Sequence, residues 1–228
     1  MKKFILIAAA SLLCASCIQI NSNFKGGKNA VKGEGPVITK DYDFRDFDAL
    51  CVNGNADVVF IQDENWKVTL TTQENIPEYL DYKVENGILL IQAKNRRTIR
   101  AEEYSLEIHA PAIRSIEVNG AADVDIPSGI QSDEDIEIEV NGAGDLKLVG
   151  IACKTLSVEI NGAADLKASG LDVATVNVEI NGAGDAKLSG KAGEASLEVN
   201  GAGDIDARGL SIAGEVKKHT SGISKIQL

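Results

Sequence analysis

Five aspartates recur in one short context: Asp123, Asp145, Asp165, Asp185 and Asp204 each close an Asn-Gly-Ala-(Gly/Ala)-Asp pentapeptide. The asparagines that open them, Asn119, Asn141, Asn161, Asn181 and Asn200, are spaced 22, 20, 20 and 19 residues apart. If successive pentapeptides lie on neighbouring strands, the carboxylates stack about 4.8 Å apart. Such a row of oxygens has the chemistry to hold Ca²⁺. It also stands without a cation, because two unit charges at that separation in water repel by only about 0.9 kcal/mol. Lys147, Lys167 and Lys187 follow two residues further along the same face. Asp is moreover a ready acceptor for turn amides, which is the expected role of this column. Calcium-binding repeats of the nine-residue type have denser Gly-Asp loops, a period absent here, so no cofactor is expected and Ca²⁺ stands as the alternative.

Two further columns follow from the same spacing. The asparagines have two readings, an inward amide ladder or a polar stripe displayed to solvent, and the ladder is preferred. Glu117, Glu139, Glu159, Glu179 and Glu198 precede them by two residues and read as a solvated outer row that discourages sheet aggregation.

The elements that position these columns are short strands. Each repeat reads apolar-Glu-apolar-Asn-Gly-Ala-x-Asp-apolar, as in Val158-Glu159-Ile160 before Asn161 and Leu166 after Asp165. Alternation sends Val158 and Ile160 to one face and Glu159 to the other. Asn-Gly between alternating apolar residues is also a strong hairpin signal, so a stack of antiparallel hairpins is a rival reading. Near-identity at a spacing of about 20 favours a β-solenoid, in which parallel coils place like upon like. One coil would not fold alone, since its apolar burial contributes about 10 to 15 kcal/mol against about 30 for ordering 20 residues. Asn53-Gly54-Asn55-Ala56-Asp57 is a diverged first copy, and Ser221-Gly222-Ile223-Ser224-Lys225 a degenerate last one. The stretches between Val37 and Ser115 alternate less regularly and predict an irregular N-terminal β part, with a turn near Ile76 to Asp81. The fold class is all-β.

Composition sets the compartment. The chain has 228 residues, 44% of them apolar, enough for a core and against disorder. Its 4% aromatic content is low for stacking on sugars or bases. Lys2 and Lys3 followed by an apolar stretch from Phe4 to Leu13, too short to span a bilayer, read as a secretory signal over residues 1–16. Ala15 and Ser16 before Cys17 resemble the lipobox of bacterial lipoproteins, which makes Cys17 the expected lipid attachment site. Loss of residues 1–16 removes two lysines and no acid, so the net charge moves from -11 to -13, a surface expected to repel both nucleic acid and anionic membranes. Residues 17–36, polar and glycine-rich, read as a flexible tether, and 37–228 as the folded head. Cys51 and Cys153 sit in alternating apolar stretches and read as small buried hydrophobes; an exported context would also permit a disulfide between them.

Several segments resemble the bacterial head GIN domain family of auto-transporter adhesins. They are DFRDFDALCVNGNADVVFIQ, with its Arg45-Asp46-Phe47 start; YKVENGILLIQAK, with Asn86-Gly87-Ile88-Leu89-Leu90-Ile91; and YSLEIHAPAIRSIEVNGAADVDI, with Pro111 after a strand. The resemblance covers about residues 40–228. It implies a right-handed parallel β-helix at the cell envelope and brings no catalytic residues with it.

The functional expectation is a non-catalytic envelope lipoprotein that acts as an adhesin, scaffold or binding module for a glycan or protein partner. It would sit at the outer membrane, the periplasmic face being favoured because no acidic run follows Cys17. Exposed solenoid ends leave homo-oligomers possible in principle. Trp66, Tyr79, Tyr82 and Tyr104 are expected to cap the first coils and, if a glycan binds, to hold it. One alternative is a β-helix polysaccharide lyase or hydrolase, disfavoured because the carboxylates repeat identically and the only histidines, His109 and His219, stand apart from them. A second is a Ca²⁺-stabilised surface spacer.

Overall fold

A computed structural model of the chain describes residues 30–228. The signal peptide, Cys17 and the tether as far as residue 29 lie outside the described residues. Strand follows strand, with two single 3-10 turns at Pro77–Tyr79 and Lys94–Arg96. The whole winds into a β-solenoid of about five turns with coils of about 21 residues.

In chain order the N-terminal strands are β1 (Ala30–Lys32), β2 (Val37–Tyr42), β3 (Ala49–Gly54), β4 (Asp57–Gln62), β5 (Lys67–Gln73), β6 (Leu80–Glu85), β7 (Ile88–Ala93), β8 (Thr98–Arg100) and β9 (Tyr104–Ala110). The repeats supply β10 (Ser115–Ala121), β11 (Val124–Ile126), β12 (Ile130–Gln131), β13 (Ile136–Val149), β14 (Ile151–Ala183), β15 (Ala186–Ile212) and β16 (Val216–Gln227). Pairing from β10 through β16 is parallel and in register with the pentapeptides, Asn119 on Asn141 on Asn161, then Asn181 on Asn200 on Ser221. β14 carries pairing through successive corners because the Asn-Gly-Ala-x-Asp backbone stays extended there. The 19-residue spacing is absorbed by a register shift between Ala168 and Leu171.

Alternation decides the inside. Val118, Val140, Ile160, Ile180 and Val199 form one buried column, and Ile116, Ile138, Val158, Val178 and Leu197 another. Parallel stacking of like residues lets short aliphatic chains fill a narrow bore without aromatics.

The N-terminal part is laid down out of spatial order. β3 and β4 form the first coil in the chain, and β10 and β11 stack on one side of it. The segment between returns to the other side, where β7 pairs parallel with β3 and β9 with β4. β6 then covers β7, β5 covers β9 and β2 covers β5, all antiparallel. Reversed strands thus close the end of the parallel stack, with Phe47, Phe60, Ile76 and Leu80 buried beneath them. At the opposite end Lys218 takes the register position of Leu197 and Thr220 that of Val199. A charged residue in a core column blunts an open sheet edge against further pairing.

Two details of the sequence reading are corrected. Residues 30–32 were placed in the tether, but β1 pairs parallel with β8, and Gly33 N–H donates to Arg100 O at 2.8 Å. Ala30–Lys32 is therefore tied to the folded head rather than free as tether; a three-residue strand inside a glycine-rich run leaves no periodic trace. The hairpin reading of Asn-Gly holds at one place only among the described residues, Asn86-Gly87, where φ values of 53° and 76° and the β6–β7 pairing make a type I′ turn.

Candidate functional site

The repeated outer face carries polar side chains in hydrogen-bonded columns that run from coil to coil. Glu and Asn two residues apart point to the same side of the sheet, and that side is outward, since the alternating Val and Ile are buried. The asparagines do form an amide ladder, but on this half-exposed outer face, which corrects the inward placement preferred from sequence. Asn141, Asn161, Asn181 and Asn200 each donate Nδ2–H to Oδ1 of the preceding asparagine at 2.9 to 3.0 Å. Each also donates to the glutamate two residues before it, as Asn141 does to Glu139 Oε1 and Asn161 to Glu159 Oε1, both at 2.8 Å. Both amide hydrogens are therefore used, which explains why outward asparagines serve as well as inward ones.

The glutamate row faces no cation within 4.0 Å among the described residues. Burial and the neighbouring glutamates push the carboxyl of Glu139 above its ordinary range, and Glu137 likewise. A carboxyl whose pKa is raised by folding contributes stability below its unfolded value of about 4.5 and loses that contribution as pH rises through the folded value. Glu139→Gln keeps the acceptor for Asn141 and removes the charge. It should raise the melting temperature at pH 7 and leave it unchanged near pH 4, as thermal melts at the two pH values would show; an equal effect at both would refute the charge argument.

The aspartates are exposed at the corner, and the amides they accept belong to the neighbouring coil rather than to their own turn. Oδ1 of Asp57, Asp123, Asp165 and Asp185 accepts the backbone N–H of Asp123, Asp145, Asp185 and Asp204 respectively, at 2.8 to 3.0 Å. Among the described residues no group of three or more His, Cys, Asp or Glu side chains is placed to hold a metal ion. Lys147, Lys167 and Lys187 do stack in register, exposed on the same side of the strand as the aspartates two residues before them.

The aromatic residues separate. Tyr104 is buried, and Trp66, Tyr79 and Tyr82 are partly buried against the core. Trp66 donates its indole N–H to Phe47 O at 3.1 Å. Tyr82 packs with Tyr42 and Phe44, and burial pushes its hydroxyl pKa upward, as it does that of Tyr104. These four rings cap the first coils and do not pair with one another. Cys51 lies on the outer side of β3, in register with Glu117. Cys153 is buried on another stretch of the coil, its thiol pushed up to about 11, and no disulfide joins the two.

With this geometry in place, the chain can be set beside known proteins. The family described as "Putative auto-transporter adhesin, head GIN domain" matches residues 46–172 and again 169–228. The chain belongs to that family. Three solved structures share its fold. A "putative adhesin" from Parabacteroides distasonis is 23% identical with a TM-score of 0.77, over 86% of this chain and 84% of that one. A "Putative lipid binding protein" from the same species is 19% identical with a TM-score of 0.75, over 87% and 100%. A "putative adhesin" from Bacteroides fragilis is 19% identical with a TM-score of 0.69, over 86% and 98%. No curated protein matches.

Two features of this head GIN domain escaped the sequence reading. An open hollow of about 480 Å³ is lined by Asp133, Cys153, Lys154 and Asp172, residues from three coils that differ from coil to coil. The second is a basic run, Lys94-Asn95-Arg96-Arg97-Thr98-Ile99-Arg100, conspicuous in an acidic chain and visible to any count of local charge. His109 belongs to neither: its Nε2 lies 3.0 Å from Glu107 and its Nδ1 3.5 Å from Asp63.

Proposed function

We propose that this head GIN domain is a non-catalytic binding or adhesive module of the cell envelope, held by a lipid on Cys17 and presenting its outer faces to a glycan or protein partner. The carrying observation is the Glu–Asn face. Its polar groups are locked in identical hydrogen-bonded columns from coil to coil, which suits a long, pre-organised contact surface and singles out no pair of carboxylates for acid–base work. Family membership, under a name that refers to adhesins, supports the same reading.

The test is a glycan array and an envelope pull-down with the acylated protein, alongside a polysaccharide cleavage screen. Retention of a glycan or envelope protein, reduced by Glu159→Lys with Glu179→Lys, is the expected result. Turnover of a polysaccharide would overturn it. The open hollow whose lining includes Asp133, Lys154 and Asp172 is the place where an enzyme reading would put its acid and base, since its lining does not repeat from coil to coil. Turnover abolished by Asp133→Asn or Asp172→Asn would establish that reading instead.

A further inference from the structure

Lys94, Arg96, Arg97 and Arg100 fall within seven residues of a chain whose net charge is -11. Lys32 joins them, because β1 and β8 set it in register beside Arg100. All five side chains are exposed, and none is in an ion pair within 4.0 Å among the described residues. Two of them are held in place: Lys94 Nζ donates to Glu78 O at 2.9 Å, and the Arg97 guanidinium lies 5.1 Å from the centre of the Tyr79 ring. The backbone between is unusual. Asn95 and Arg96 have φ of 56° and 53°, consecutive left-handed residues without glycine, a conformation that side-chain-bearing residues adopt at a cost. The result is a tight knuckle that points four cations outward where like charges would otherwise drive the chain apart.

Its position matters as much as its charge. The N-terminal segment meets the head here: besides the Gly33–Arg100 bond, Asn75 Nδ2 donates to Lys32 O at 2.9 Å and its Oδ1 accepts Glu34 N–H at 2.8 Å. Twelve residues separate Cys17 from Ala30, and the thirteen Cα-to-Cα steps between them span at most about 45 Å. A lipid on Cys17 would therefore be joined to the head at this corner, where β1 and β8 pair, and would hold the head within that reach of the bilayer; the cations at the same corner decide which end faces it.

We propose that Lys32, Lys94, Arg96, Arg97 and Arg100 form a contact surface for anionic lipid headgroups, which seats the cap end of the solenoid on the membrane and points the C-terminal coil away from it. The net negative charge does not forbid this. Charges more than about 8 Å from the contact are screened at physiological ionic strength, while each Lys or Arg at an anionic surface favours binding about fivefold. The proposal takes its setting from the envelope reading above but can be tested without it.

The experiment uses residues 17–228 carrying Cys17→Ser, which retain every described element and cannot be acylated. Sedimentation with phosphatidylcholine vesicles, with and without about 30% phosphatidylglycerol, should show at least about tenfold stronger binding to the anionic vesicles. Arg96→Glu with Arg100→Glu should abolish that preference. Lys217→Glu with Lys225→Glu changes the net charge equally in the last coil and should preserve it. Should the first pair fail to melt like the parent, Lys94→Gln with Arg96→Gln replaces it with the same expectation. Equal binding to both vesicles, equal loss in the Lys217 and Lys225 variant, or binding to soluble heparin without binding to vesicles would each overturn the proposal. Absence of an acyl group on Cys17 in the native protein would undo the anchor and leave the vesicle result standing, so the two failures are distinguishable.

Discussion

Gly142→Ala is expected to destabilise the protein by more than about 4 kcal/mol, enough to prevent folding of a marginal stack, while Gly54→Ala costs only about 1 to 3 kcal/mol. Both glycines follow an asparagine of the repeat and have nearly the same φ, 153° and 152°. Their surroundings differ. A Cβ on Gly142 would land on the backbone carbonyl of Gly120 in the preceding coil, whereas a Cβ on Gly54 meets nothing within 4 Å. Gly54→Ala therefore reports backbone strain alone, and Gly142→Ala adds a collision with an atom that cannot swing aside. Relief would require the coils to part, giving up ladder hydrogen bonds on both sides of the corner. Urea unfolding followed by circular dichroism would measure the two; equal losses would mean that close approach between coils is not what requires glycine.

The second large effect is expected at the amide ladder. Asn161 donates to both Asn141 Oδ1 and Glu159 Oε1 and accepts from Asn181 Nδ2 at 3.0 Å. Asn161→Asp keeps the acceptor, removes both donors and sets a carboxylate against Glu159. Loss of one neutral and one charge-assisted hydrogen bond, with the pair half-exposed, amounts to about 2 to 3 kcal/mol, to which repulsion from Glu159 adds at neutral pH; Asn161→Ala loses those two bonds and the acceptor for Asn181 without any repulsion and should cost about 3 kcal/mol at every pH. The aspartate penalty is pH-dependent. The new carboxyl is neutral and able to donate at low pH, so the loss should be small below about pH 4 and grow as pH rises past it. Melting curves of the two variants across that range would test this, and parallel pH profiles would contradict the ladder as the source.

These two tests concern features whose residue types were legible from the sequence but whose orientation was not. Glycine after every repeat asparagine pointed to a backbone requirement, and the structure adds that the requirement comes from the neighbouring coil as much as from φ. The asparagines were read as a ladder, and a ladder they form, yet on the outside. Glu139 could have shown this, because a residue two before Asn141 must share its face and a row of glutamates cannot line an apolar bore. The aspartates were legible as amide acceptors at a corner, but not that the amides they take belong to the neighbouring coil, 19 to 66 residues away in the chain. Asn86-Gly87 makes a hairpin while the other Asn-Gly pairs do not; no Ala-x-Asp follows it, and β6 lies opposite to take the returning strand.

The N-terminal part was the least legible. Nothing in the alternation of β7 and β9 tells that they stack on the far side of β3 and β4, or that β5, β6 and β2 reverse direction to close that end. β1 was hidden in a run read as tether, and the basic corner was assembled from Lys32 and Arg100, 68 residues apart.

The sequence by itself determined the coil length, the parallel register of the repeats, the glycine corners and the residues of each column, because every one of these is stated five times and each copy packs on the next. Only the tertiary structure decided which way the columns face, how the first coils are ordered and capped, and which cations meet beside β1. Those outcomes rest on contacts made once, between segments far apart in the chain, and a contact made once leaves no period to read.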